Sequence, residues 1–262
     1  MEIGPVTIHF YAFCILIGIF VAIWLGKIRY QNLGGNPEDI SEAAVWAIPA
    51  GIIGGRIYHV ITTPEKYFGK NGTPADAFKI WEGGLGIWGA ISLGAIAGYF
   101  YFRLNKTTLS FPYFLDALAP GVLIAQAIGR IGNWFNVELF GSPSTLPWSL
   151  SVPKFDRPAG YLDYETFHPT FLYELIWCAV LAFLLMKPKL ITKFINRPGD
   201  LFALYVFGYT TGRLWIEALR IDEANHIFGL RLNIWVCLLV LISSLIYLAR
   251  SRGKAKDFLT EG

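Results

Sequence analysis

This sequence predicts a single all-α, polytopic membrane domain spanning residues 1–262 and built on about seven transmembrane helices. Three observations predict it. The chain is 54% hydrophobic and only 16% charged, with a mean hydropathy of +0.46, a balance too apolar for a water-soluble domain. Apolar stretches close to the ~20 residues that a bilayer requires recur along its length. The basic residues between those stretches fall unevenly on alternate sides, as the positive-inside bias demands.

The first stretch, 10–27, is uninterrupted. Residues 1–5 carry no basic n-region and no small-residue cleavage site follows, so this segment is expected to remain as a helix rather than act as a cleaved signal peptide. The second, 44–61, is broken in hydropathy by Pro49, Gly51, Gly54, Gly55 and Arg56. The third, 85–103, follows the glycine-rich segment Gly83, Gly84, Gly86, Gly89. The fourth, 114–136, ends in polar residues, and the fifth, 170–186, can be opened by Pro169. The sixth, 201–219, carries Arg213 and Glu217, and the seventh is 233–249. The longest outside loop, at about 141–169, holds Pro143, Pro147, Pro153, Pro158, Trp148 and Tyr161, too apolar for a mere linker and suited to covering a cavity.

Of the 22 basic residues, twelve fall on one side of these spans, seven on the other, and Arg56, Arg130 and Arg213 within them. The N-terminus is therefore expected outside and the C-terminus in the cytoplasm. Cys14, Cys178 and Cys237 are odd in number and all lie in apolar spans, which argues against a disulfide framework. His9, His59, His168 and His226 show no metal-ligand spacing, so neither metal nor cofactor is expected. A net charge of +3 suits an anionic membrane surface, and no nucleic-acid partner is expected.

Intramembrane charge needs a reason, because each such group costs roughly 2.5 to 3.5 kcal/mol on insertion scales. With the expected orientation, Arg56, Arg130 and Arg213 lie in the outer half of the bilayer, beside Tyr11 and the Gly83 to Gly89 segment. Five helices thus aim polar or glycine-rich sequence at one layer, which points to a shared cavity facing the outer leaflet.

Arg213, Glu217 and Arg220, at i, i+4 and i+7, form one helical stripe in which the glutamate can pair with either arginine. Together with Arg130, this leaves a surplus of guanidinium, and the planar fork of arginine suits a phosphate. In an outer leaflet, the buried phosphate at hand is a phospholipid head group. Arg130, Asn133 and Asn136 follow at i, i+3 and i+6, neighbours if the helix persists, with Glu138 placed to orient the arginine or to accept from a head-group hydroxyl. Gly129, Gly132 and Gly141 serve close packing or ligand approach. Arg56 binds either a ligand or a carboxylate or helix-end carbonyls. His168 is a proton acceptor or an interfacial residue beside Tyr173, and Glu174, a turn into its span, pairs within the bundle.

The run Gly129 to Gly141, the segment His168-Pro169-Thr170-Phe171-Leu172-Tyr173-Glu174 and the segment Gly212 to Arg220 together resemble bacterial prolipoprotein diacylglyceryl transferases. The resemblance extends through Gly4-Pro5, His9-Phe10-Tyr11, Gly54-Gly55-Arg56 and Trp81-Glu82-Gly83-Gly84. It implies a seven-helix enzyme of the cytoplasmic (inner) membrane that moves the diacylglyceryl group of phosphatidylglycerol onto the lipobox cysteine thiol of a prolipoprotein. That step forms a thioether and releases glycerol 1-phosphate. Its partners are then phosphatidylglycerol, the signal peptide and lipobox cysteine of the prolipoprotein, and membrane lipid.

The resemblance implies phosphatidylglycerol binding at Arg130 and importance for activity at Tyr11, Asn133, Glu138, Gly141, Arg213 and Glu217. In that reading Arg130 and Arg213 clamp the phosphate and Glu138 and Glu217 hold the guanidiniums. Asn133 and Asn136 bind head-group hydroxyls, Tyr11 positions lipid or peptide, and Arg56, Arg220 and Gly141 complete the substrate side. Where many members carry His-Gly-Gly, this chain reads Ile87-Trp88-Gly89-Ala90, and Trp88 cannot accept a proton. The base is then His168 or Glu217, or the arginine-rich surroundings acidify the thiol unaided. A transporter is the rival from another class, but its paired, repeat-related helix breaks are not seen here.

Overall fold

The computed structural model describes residues 2–3, 6–7, 10–70, 72–80, 83–222, 224 and 226–260. Gly4, Pro5, His9, Trp81 and Glu82, part of the resemblance, lie outside the described residues. Seven helices of sixteen residues or more occur among those described: α1 Phe10–Asn32, α2 Pro37–Thr62, α3 Ile87–Leu104, α4 Phe111–Phe135, α5 Thr170–Leu185, α6 Asp200–Leu219 and α7 Leu232–Thr260. Each overlaps one of the seven predicted stretches.

Length and hydropathy suffice for a membrane crossing in five of them: Phe10–Asn32, Pro37–Thr62, Ile87–Leu104, Phe111–Phe135 and Leu232–Arg252. Helix α5 is apolar but has 16 residues, about 24 Å of rise against a hydrocarbon core of ~30 Å. Helix α6, with 20 residues, is long enough, yet Thr210, Thr211, Arg213 and Glu217 dilute its hydropathy. The protein is a mainly helical membrane protein, and its surface agrees with that: on α1, Phe13, Leu16, Phe20 and Trp24, three or four residues apart, form an exposed apolar stripe.

Helix α2 begins seven residues before the predicted stretch. The Asn36 side chain caps it by accepting from the Glu38 amide at 3.1 Å, Pro37 occupies the first turn, and Glu38 and Asp39 place negative charge at the positive end of the helix. Hydropathy is blind to that turn because its residues are polar. Three antiparallel ladders of two residues per strand depart from the all-α expectation: Glu2–Ile3 with Val6–Thr7, Leu150–Ser151 with Thr166–Phe167, and His226–Ile227 with Leu230–Arg231.

The chain divides into two compact units, residues 27–114 and residues 1–26 with 115–262. In the first, α2 and α3 meet at Gly54 and Gly89, where a Cβ on either glycine would strike the carbonyl oxygen of the other. Tyr30 and Asp39 are buried there, the phenol donating to the Leu109 carbonyl at 3.2 Å.

The second unit packs Leu123 and Ala127 of α4, Cys178, Ala182 and Leu185 of α5 and Leu201 of α6 into one apolar core. Buried Asp116 of α4 accepts from the Gly199 and Phe202 amides at 2.7 and 2.8 Å, which fixes the start of α6. The 141–169 loop is folded over a second cluster of Phe140, Val152 and Phe167. These contacts set the last turns of α4, the first turns of α5 and the C-terminal half of α6 side by side.

Candidate active site

Arg130 and Asn133 occupy the last two turns of α4, three residues apart, and the Arg130 Nη1 donates to Asn133 Oδ1 at 2.9 Å. The helix ends at Phe135, and the Asn136 amide still donates to the Gly132 carbonyl at 3.2 Å, so Asn136 stays beside Asn133 at the helix end. Val137 and Leu139 then adopt φ of 51° and 58°, a left-handed backbone that is costly for a β-branched or bulky residue. The reversal turns Glu138 back on the helix end, where its Oε1 accepts from Asn133 Nδ2 at 2.8 Å and from Asn136 Nδ2 at 3.1 Å. Glu138 therefore reaches Arg130 through Asn133 rather than directly. The amide groups expected to meet head-group hydroxyls are, in this state, directed to that carboxylate.

The carboxylate directly on Arg130 is Glu174, from the first turns of α5. Its Oε1 lies 3.0 Å from Arg130 Nη2 and accepts from the Tyr209 hydroxyl at 2.9 Å, while its Oε2 lies 2.8 Å from Arg213 Nη1. One buried carboxylate thus joins two guanidiniums from different helices. Arg213 is held again, as the i, i+4 spacing predicts, by Glu217 Oε2 at 2.7 Å. Glu217 is fully buried at 0% exposure, and its other oxygen takes Arg231 Nε at 2.8 Å and Asn233 Nδ2 at 3.0 Å.

Arg220 stands 3.8 Å from Glu217 and instead grips Asp222 with both prongs, at 2.7 and 2.8 Å. Arg231 reaches the same carboxylate at 3.1 Å. Burial opposes ionisation of Asp222, but the Arg220 and Arg231 guanidiniums outweigh it and hold that carboxyl below the usual carboxylate range.

This network corrects the charge count made along the sequence. Among the described residues the ion-paired cluster joins four guanidiniums, of Arg130, Arg213, Arg220 and Arg231, to three carboxylates, of Glu174, Glu217 and Asp222. The surplus is one cation, where the stripe taken together with Arg130 counts two. Arg130 retains an unanswered donor, because its Nε is buried without a hydrogen-bond partner.

Tyr11 lies against α4 at Gly132, where an added Cβ would stand 2.8 Å from its ring, within a turn of Arg130 and Asn133. Gly141 is required by its surroundings: a Cβ there would stand 2.8 Å from both the Leu219 carbonyl oxygen and the Thr170 methyl, where the chain bridges to Arg220. Close packing therefore accounts for a glycine at position 141. The His168 Nδ1 is 3.1 Å from the Tyr173 hydroxyl, and that hydroxyl accepts from Trp148 Nε1 at 3.0 Å.

Arg56 belongs to the 27–114 unit. Its guanidinium donates to the carbonyls of Ala77 at 2.8 Å, Gly83 at 2.6 Å, Gly84 at 3.2 Å and Asp76, and stacks over Tyr67. With four of five N–H groups spent on backbone, it clasps Asp76 and Ala77 to Gly83 and Gly84.

Glu174 as a hub, Tyr209, Asp222, Arg231 and Asn233 escaped the sequence reading as site members. Tyr209 and Asp222 carried a local signal, since Tyr209 precedes Arg213 by four residues on the same helical face and Asp222 follows Arg220 by two. Glu174, Arg231 and Asn233 join through folding of distant segments.

A family model described as prolipoprotein diacylglyceryl transferase matches residues 1–250. A phosphatidylglycerol–prolipoprotein diacylglyceryl transferase of Cutibacterium acnes is 52% identical over 260 residues, covering 98% of this chain and 86% of the relative. Transferase 2 of Streptomyces coelicolor is 50% identical over 252 residues, covering 96% and 78%, and the Corynebacterium diphtheriae transferase is 49% identical over 265 residues, covering 96% and 92%. On a match that runs through the helices carrying Arg130, Glu174 and Arg213, the chain belongs to the prolipoprotein diacylglyceryl transferase family.

Proposed function

We propose that the protein transfers the diacylglyceryl group from phosphatidylglycerol to a prolipoprotein, the first step of lipoprotein maturation, and that the acceptor is the lipobox cysteine thiol. The observation that carries this reading is the Arg130–Glu174–Arg213 bridge, with the unpartnered Arg130 Nε beside it. Two guanidiniums fixed by one carboxylate form a rigid receptor for a head-group phosphate, because fixed donors need no reorganisation as charge develops.

In the reaction, the cysteine sulfur forms a bond to the terminal glyceryl carbon of the lipid as the bond from that carbon to the phosphate oxygen breaks. The electron pair of the broken bond leaves on glycerol 1-phosphate, and the thiol proton passes to solvent or product. Arg130 and Arg213 stabilise the departing phosphate. Glu138 acts through Asn133 to set the Arg130 plane, and Glu217 sets Arg213. Tyr11, packed on the same turn of α4, positions lipid or peptide. Glu217 takes no proton in this reading, since Arg213, Arg231 and Asn233 already occupy its oxygens. His168 serves the base of the loop, and the cationic surroundings lower the thiol pKa. Arg220 supports the site from its grip on Asp222.

The topology that goes with this is seven crossings of the bacterial cytoplasmic membrane by one domain. The N-terminus and the 141–169 loop lie outside, the C-terminus lies in the cytoplasm, and the site faces the outer leaflet. Helix α6 would cross with Arg213 and Glu217 turned to protein partners, which tolerates a polar helix.

The deciding experiment is transfer of labelled diacylglyceryl from phosphatidylglycerol to a synthetic lipobox peptide by the purified protein, beside Arg130→Ala. Thioether product from the wild type alone supports the reading. A folded, lipid-supplied wild type that makes none overturns it.

A further inference from the structure

The hairpin of His226–Ile227 and Leu230–Arg231 turns through Phe228 and Gly229 with φ of 50° and 77°. Two positive φ values at the centre of a two-residue turn define the type I′ geometry, which favours Asn-Gly because an ordinary side chain resists the first position. Here a phenylalanine takes that position and is 93% exposed, and Ile227 and Leu230 beside it are also exposed. A bulky residue held in a strained turn with almost no protein contact calls for a function outside the fold of the chain itself.

Its place in the chain names the partner. Leu232, the next residue after the hairpin, opens α7, and Leu232–Arg252 is one of the segments apolar and long enough to cross a membrane. The turn is therefore within a few residues of the point where the chain enters hydrocarbon. Trp235, in the first turn of α7, donates its indole N–H to the Ile227 carbonyl at 2.9 Å, the kind of amphipathic ring that settles at the head-group level. At the other end of the hairpin Arg231 is buried, bonded to Glu217 and Asp222, and with Arg220, Tyr161 and the exposed His226 it walls an open cleft of about 760 Å³.

We propose that the 226–231 hairpin is an interfacial anchor whose partner is the phospholipid surface. Phe228 is its wedge, and lipid contact there fixes the height at which Arg231 meets Glu217. The inference concerns a surface and not the transfer reaction, so it stands or fails apart from the transferase reading.

The test uses the full chain in phosphatidylglycerol–phosphatidylcholine vesicles, with Phe228→Cys spin-labelled and Gly160→Cys, at a position with nothing packed on it, as the aqueous reference. Cys14, Cys178 and Cys237 are buried and label poorly. The expected result is a severalfold higher ratio of oxygen to nickel-chelate collisions at position 228 than at 160. Leu230→Cys, at ordinary backbone angles, gives the same result independently if the strained position tolerates no label. Water-like collisions at both 228 and 230 overturn the proposal. So does shielding from both reagents, which would mean that a second copy or a peptide covers the turn.

Discussion

Glu174 and Arg213 face each other across α5 and α6 with Oε2 and Nη1 2.8 Å apart, 39 residues apart in sequence. The other oxygen of the same carboxylate holds Arg130 at 3.0 Å, so the two cations share one buried counter-ion.

Glu174→Gln should therefore act on both arginines. The isosteric amide keeps volume but leaves two guanidiniums close together without their shared charge. Stability should fall by about 3 kcal/mol, the usual scale for breaking a buried pair from one side. Transfer should fall at least about tenfold, equivalent to ~1.4 kcal/mol of lost transition-state stabilisation. Thermal unfolding in detergent and initial rates check both, and a variant with wild-type values in each would remove Glu174 from the centre of the site.

Asp222 predicts a pH dependence. Its folded-state pKa lies below the unfolded value of ~3.9 because Arg220 and Arg231 favour the anion over the opposing effect of burial. A depressed carboxylate contributes stability that is complete above the unfolded pKa and is lost as pH falls through the folded one. Asp222→Asn should thus be less stable than wild type at neutral pH, with the gap closing below about pH 4. A gap unchanged between pH 7 and pH 3 would show that the ion pairs are not its source.

Gly141→Ala should cost about 1 to 3 kcal/mol, since its Cβ meets a backbone carbonyl that cannot swing aside. Transfer should drop with it, because the bridge to Arg220 must move. Gly160→Ala, where nothing lies within 4 Å, should leave both unchanged and serves as the control. Equal melting temperatures for the two variants would contradict the packing account.

His168→Gln should lower activity modestly at most and leave the shape of the pH–rate profile intact. The imidazole hydrogen-bonds Tyr173 at the base of the loop. Loss of a limb of that profile in the variant would instead make it the base.

The parts of the site that could be read in the sequence share a property: their partners lie within one or two helical turns. Arg213 and Glu217 at i, i+4 meet at 2.7 Å, and Arg130 and Asn133 at i, i+3 meet at 2.9 Å, because the 3.6-residue period alone puts them on one face. The helical stretches were legible for the same local reason, since hydropathy is a property of a window of residues. What was not legible is the left-handed turn through Val137 and Leu139 just beyond the helix end, residues with no sequence preference for it.

What the sequence by itself determined, then, is a helical membrane chain with arginine, asparagine and glutamate set into its apolar stretches. The tertiary structure alone decided the long-range partners of those charges. Glu174 became the counter-ion of two arginines, Arg231 came from the 226–231 hairpin to Glu217, and Arg56 spent its donors on the carbonyls of 76–84. The physical reason is that a buried charge accepts whichever opposite group packing brings within hydrogen-bond reach. For partners tens of residues apart, that reach is fixed by helix placement and not by spacing along the chain.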